Sequence, residues 1–119
     1  MGDLKLGAVE SRFAEIIWEN EPLTTNRLIK ICADELEWKR TTTYTVLKKL
    51  SEKGIFKTEN SVVTSVISRQ EFDAMQSEQF VEENFKGSLP AFLAAFTARR
   101  KLSDQEIDEM KALIEQMRG

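Results

Sequence analysis

Arg40-Thr41-Thr42-Thr43-Tyr44-Thr45-Val46-Leu47-Lys48-Lys49-Leu50-Ser51-Glu52-Lys53-Gly54 is the stretch on which the fold turns. Its first half reads locally as a strand, because β-branched threonines lose side-chain freedom in a helix. Its apolar spacing reads otherwise. Thr43, Val46, Leu47 and Leu50 fall within about 100° of one another on a helix stepping about 100° per residue. Gly54 then stands where a glycine commonly follows a helix C-terminus. The periodicity outweighs the local propensity, so the stretch is expected to be a helix over about 40–53.

The flanking segments give this helix a context. Before it, Leu28, Ile31 and Cys32 mark the inward face of a helix that Thr24 or Thr25 could cap, ending near Glu35. Glu37-Trp38-Lys39 is a short turn. Further upstream, Val9, Phe13, Ile16 and Ile17 form the stripe of a first helix, stopped by Asn20-Glu21-Pro22. After Gly54, Ile55-Phe56-Lys57-Thr58 and Val62-Val63-Thr64-Ser65-Val66-Ile67 alternate as two strands about the turn Glu59-Asn60-Ser61. Three helices followed by a hairpin is the order of a winged helix-turn-helix, whose third helix enters the DNA major groove.

The third helix can be projected to test that reading. Opposite its apolar face stand Thr41, Thr45, Lys48 and Glu52, flanked by Thr42, Tyr44 and Lys49. Short hydroxyls permit close approach to base edges, and neighbouring lysines neutralise phosphates. Arg40, Lys49 and Lys57 are the expected phosphate contacts; Thr41, Thr42, Tyr44, Thr45 and Lys48 are the expected readers. Glu52 opposes the reading. The wing, Thr58-Glu59-Asn60-Ser61, offers only Lys57 beside it and should add little affinity. A basic face on a merely solvated helix is the competing interpretation.

Composition narrows the remaining classes. The 119 residues contain no histidine and one cysteine, Cys32. Histidine-assisted nucleophiles, imidazole metal sites and cysteine-cluster zinc sites are therefore excluded. No enzyme activity, cofactor or metal is expected. Cys32 is expected to be a small core residue, and Trp18 and Trp38 packing anchors. No apolar run approaches the roughly 20 residues of a membrane span. The start carries Asp3 and Lys5 and no signal-peptide core, so a cytoplasmic protein without membrane insertion is expected.

The net charge of −3 argues against nucleic acid only as an average. Residues 1–69 hold 11 basic and 10 acidic side chains, whereas 70–119 hold 6 and 10. From Trp38 to Lys57 six cations face Glu52 alone. This asymmetry supports two domains: 1–69, a winged-helix DNA-binding domain, and 70–119, a helical dimerisation domain.

The second part opens with a capping box, Ser68-Arg69-Gln70-Glu71, and runs as helix to about Phe85. Lys86-Gly87-Ser88 breaks it, a short apolar helix follows over 89–98, and Ser103-Asp104-Gln105-Glu106 opens the last one. Five of the seven phenylalanines lie between Phe72 and Phe96. Short helices without a sheet cannot readily cover so many large groups. The favoured cover is a second copy of the chain, through Phe80, Phe85, Leu89, Phe92, Leu93 and Phe96 with Ile107, Met110, Leu113, Ile114 and Met117. Packing back onto the first domain is the alternative. A two-fold dimer would present paired recognition helices to a palindromic site.

Several stretches resemble the BlaI/MecI/CopY-type penicillinase repressors. They are Ala14-Glu15-Ile16-Ile17-Trp18-Glu19, Pro22-Leu23-Thr24, Trp38 through Gly54, Val66-Ile67-Ser68-Arg69-Gln70-Glu71-Phe72, Phe85-Lys86-Gly87-Ser88-Leu89, and Lys101-Leu102-Ser103 with Glu106. The resemblance spans nearly the whole chain in order. It implies a mainly α protein with a small hairpin, a homodimeric repressor of double-stranded operator DNA. It also implies, for the β-lactam-responsive branch, a membrane sensor-protease as signalling partner and cleavage at an Asn-Phe bond. Asn84-Phe85 matches that bond in type and place; Phe85 as a plain core residue is the other reading. The chain departs from the family where Lys39-Arg40-Thr41-Thr42 replaces Ser-Pro-Lys-Thr and where Ser61-Val62-Val63 lacks the usual Gly-Arg and aromatic wing. A different operator preference is implied. The copper-sensing Cys-x-Cys ending is absent. A PadR-like winged-helix regulator and a protein–protein adaptor that does not bind DNA remain as alternatives.

Overall fold

A computed structural model describes residues 4–118; Asp3, part of the charged start, lies outside them. The element order is α1 (Ala8–Asn20), β1 (Leu23–Thr24), α2 (Thr25–Leu36), α3 (Arg40–Glu52), β2 (Phe56–Glu59), β3 (Val62–Ser65), α4 (Arg69–Phe85), α5 (Leu89–Thr97) and α6 (Asp104–Gln116). The chain is thus mainly helical with one small antiparallel sheet, ordered β1-β3-β2. No helix among the described residues is long and apolar enough to cross a membrane.

Two compact units divide at Ser77 and Glu78, within α4. The sequence reading put the boundary at 69/70. The difference has a packing cause. The first turns of α4 belong to the first unit, where Phe72 is buried against the Trp18 ring, 5.4 Å between centroids. Gln76 Nε2 also donates to the Leu4 carbonyl at 3.0 Å.

The first unit is built around α1. Phe13, Ala14, Ile16 and Ile17 are buried, whereas Val9 is 53% exposed. Val9 has the right angle for the stripe but stands in the first turn, where position along the helix decides exposure. Thr24, not Thr25, caps α2: its hydroxyl accepts from Arg27 N at 3.1 Å. The pair Arg12–Glu35 ties α1 to α2. Trp38 fills the turn before α3 and stacks on Phe13 at 5.4 Å. Trp18 packs on Phe56 and Phe72, and its indole N–H donates to the Ile67 carbonyl at 3.1 Å. Both tryptophans are packing anchors.

The third helix forms as its periodicity requires. Thr43, Leu47 and Leu50 are buried and Val46 half-buried. Its end is a Schellman motif: Ile55 N donates to Leu50 O (3.1 Å) and Gly54 N to Ser51 O (2.9 Å), with Gly54 at φ 82°. This closure delivers Ile55 and Phe56 into the core beside Leu50.

The hairpin turn is two residues long, Asn60-Ser61, one fewer than the sequence suggested. Both take left-handed backbone, φ 52° and 61°, the pattern of a type I′ turn matched to strand twist. The strands pair Phe56 with Ser65 and Glu59 with Val62. Val66 and Ile67 lie beyond the strand, both donating to the Ile55 carbonyl. The two-residue strand β1, which pairs Leu23 with Val63, has no sequence signature.

In the second unit, the Ser88 hydroxyl caps α5 by accepting from Ala91 N at 3.1 Å. Ser103 and Glu106 form a complete capping box on α6. Phe80, Phe85, Phe92 and Phe96 make a chain of ring contacts 5.5–6.1 Å apart. No described residue of this unit is fully buried.

Candidate nucleic-acid interface

The interface candidate starts from what α3 cannot expose. With Thr43, Leu47 and Leu50 turned inward, the helix presents Arg40, Thr41, Thr42, Tyr44, Thr45, Lys48 and Lys49 together on its outer surface. Tyr44 is 42% exposed, and the Arg40 guanidinium lies 5.8 Å above its ring. That cation–π contact holds Arg40 over the first turn.

Hydrogen bonding distinguishes the threonines. The Thr45 hydroxyl donates to the Thr41 carbonyl at 2.9 Å. Its proton is used within the helix, so outward it can only accept, which suits an exocyclic amine of a base. Thr41 and Thr42 keep their hydroxyls without a partner among the described residues, as donors or acceptors.

The N-terminus of α3 differs from those of the other helices. Glu10, Thr24, Glu71 with Ser68, Ser88, and Ser103 with Glu106 satisfy backbone donors elsewhere. α3 begins after Lys39 with no side-chain cap and no acid in its first turn. Unsatisfied N–H groups, the positive helix end and Lys39-Arg40 reinforce one another there. That arrangement is unfavourable to the isolated helix and favourable to an anion.

The structure brings the expected lysines together unequally. Lys48 is exposed and has no ion pair among the described residues. Lys49, by contrast, donates to Glu10 Oε2 at 2.6 Å, and Lys57 pairs with Glu59 at 3.0 Å on the hairpin. The Lys57–Glu59 pair is largely solvated and worth little against a competing phosphate, whereas the Glu10 side chain is only 21% exposed and holds Lys49 more firmly. Glu10 is a site residue that local pattern could not reveal, since 39 residues separate it from Lys49. Its carboxyl lies below the usual carboxylate range because Lys49 donates to it, helped by the Gly7 N–H.

Cys32 plays no part in this surface. It is buried, and burial pushes its thiol up to about 11, partly offset by the Thr43 hydroxyl. A thiol so held is a core atom and a poor nucleophile. Among the described residues no His, Cys, Asp or Glu cluster could hold a metal ion.

In the second unit, Phe80, Leu89, Phe96, Leu113, Ile114 and Met117 are exposed, Met117 to 73%. Phe85, Phe92, Leu93, Ile107 and Met110 are half-buried. The expected dimerisation residues thus present apolar surface. Asn84 and Phe85 are the last two residues of α4, and the exposed Asn84 amide donates to the Phe80 carbonyl at 3.0 Å.

Residues 6–116 match the family described as "Penicillinase repressor". The chain is 24% identical over 116 residues to a penicillinase repressor of Bacillus licheniformis, covering 94% of this chain and 91% of that protein. It is 23% identical over 114 residues to the methicillin resistance regulatory protein MecI of Staphylococcus aureus strain Mu50, covering 92% and 93%. A MecI protein of Mammaliicoccus sciuri is 22% identical over 114 residues.

Proposed function

The chain belongs to the penicillinase repressor family, and from that premise we propose that it is a homodimeric transcriptional repressor that reads a palindromic operator with α3 in the major groove. The outer surface of α3 carries the reading: exposed Thr41, Thr42, Tyr44, Thr45 and Lys48 stand over a fully buried Leu50. Arg40, Lys49 and Lys57 serve as the phosphate contacts. Lys48 has the largest role among the lysines because no acid among the described residues pairs with it.

Dimerisation rests on the exposed apolar side chains of the second unit. Two DNA-binding halves on one dimer act at high effective concentration, so a repressor that loses its dimer core loses affinity steeply. Cleavage of Asn84-Phe85, signalled by a membrane sensor-protease, would separate α5 and α6 from the DNA-binding half. The bond lies in the last turn of α4, just before Lys86 and Gly87, both left-handed. Terminal turns open at little cost, as a protease requires.

The test is Lys48→Ala, with binding followed by fluorescence anisotropy on a duplex covering the region upstream of the chain's own gene. Affinity should fall, and the dependence of log K on log salt should flatten, because a cation is lost from the interface. Unchanged affinity and slope would remove Lys48 from the interface. A folded dimer that binds no duplex at low salt would leave the adaptor reading instead.

A further inference from the structure

The first turn of α1 and the residues just before it engage the flank of α3. The Lys49 ammonium donates to Glu10 Oε2 at 2.6 Å, and the Lys53 ammonium donates to the Lys5 carbonyl oxygen at 3.0 Å. Lys49 and Lys53 are one turn apart, so these two contacts take up one edge of the helix. The segment is itself anchored. Gly7 N donates to Glu10 Oε1 at 3.1 Å, and Gln76 Nε2 donates to the Leu4 carbonyl at 3.0 Å. The Glu10 side chain is 21% exposed and that of Lys49 56%. The carboxylate is therefore the fixed member of the pair and the ammonium the one free to swing away.

We infer that Glu10 is an intramolecular competitor for DNA phosphate: it holds Lys49 against the protein and so sets how tightly the α3 edge grips the duplex backbone. The inference rests on the reading of α3 as the DNA-binding helix. Carboxylate and phosphate oxygens accept from the same ammonium, so Lys49 must leave one to serve the other. Each phosphate contact releases counterions and steepens the salt dependence of binding. A lysine kept on Glu10 contributes neither. The lowered Glu10 carboxyl, charged at neutral pH, is consistent with this hold. A grip kept below its maximum also makes the complex more dependent on its dimeric second half.

Glu10→Gln tests the competition. Glutamine can still accept from Gly7 N, so the start of α1 is preserved while the charge is lost. Anisotropy on the upstream duplex, across a salt series, should show binding about two- to five-fold tighter at low salt, the range of an exposed ion pair. The log–log slope should steepen, by at most about 0.9 for one full phosphate contact, and neither change should occur in a Lys49→Ala background. If Lys48→Ala weakens binding while Glu10→Gln changes nothing, the inference fails and the DNA reading stands. A gain that persists without Lys49 would mean simple charge removal and would also overturn it. If the wild-type dimer binds no duplex, both fall together.

Discussion

The two units of the chain treat their apolar residues in opposite ways. In the unit ending at Ser77, Phe13, Ile17, Leu28, Leu50, Ile55 and Val63 are shut off from solvent. In the unit beginning at Glu78, Leu89, Ile114 and Met117 are more than half exposed. The cause is architectural. α1, α3 and the sheet each turn an apolar face to the others, and Trp18 and Trp38 close the gaps. α5 and α6 have well-formed caps, and Phe92 of α5 meets Phe80 and Phe85 of α4, but none of their described side chains is fully buried within their own unit. A helix can be locally complete and still lack a core, because capping satisfies backbone donors while burial needs a second surface.

The contrast breaks first, and with the largest effect, at Phe13. Phe13→Ala removes a fully buried ring and should cost about 3–5 kcal/mol. Denaturant unfolding should give the same loss at every protein concentration, because the core is intramolecular. A loss that shrinks as concentration rises would mean the first unit also depends on a partner.

Ile114→Asp addresses the other half. A charge on the exposed α6 stripe should convert a dimer to monomer in analytical ultracentrifugation while leaving the stability of the first unit within about 0.5 kcal/mol. Operator affinity should drop with it, as it should after cleavage at Asn84-Phe85. A dimer of unchanged mass would place the interface elsewhere, and a monomeric wild type would end the dimer reading.

The smallest effect concerns acid. Glu71 caps α4 in the first unit and Glu106 caps α6 in the second; each lies below its ordinary value, chiefly because a backbone N–H, of Ser68 or Ser103, donates to it. A lowered folded value means the stabilisation is complete above the ordinary carboxylate range and is lost as pH falls through the folded value. Both caps should therefore weaken on acidification below about pH 4. Helical circular dichroism should decline first in the second unit, where no core supports the cap. Equal loss from Ser68→Ala and Ser103→Ala variants at low pH would remove that distinction.

Much of this was legible in the linear chain. The Thr43, Val46, Leu47, Leu50 spacing, Gly54, and the Ser68–Glu71 and Ser103–Glu106 boxes all depend on neighbours within one or two turns, and each formed as read. The outer surface of α3 was readable for the same reason, since one face of a helix is implied by the other. What stayed hidden is nonlocal or set by position in the assembly of elements. β1 is two residues whose only signature is their partner Val63. Val9 has a core angle and no core beside it. Lys49 looked like a free cation until Glu10 met it.

The sequence by itself determined the helices, the capped starts of α4 and α6, the presence of the hairpin and the face that α3 turns outward, because periodicity and capping act over a few residues. Only the tertiary structure decided which cations on that face are already engaged and where the first unit stops along α4. Those outcomes depend on distances between segments far apart in the chain, such as Glu10 with Lys49 and Leu4 with Gln76, which no local pattern encodes.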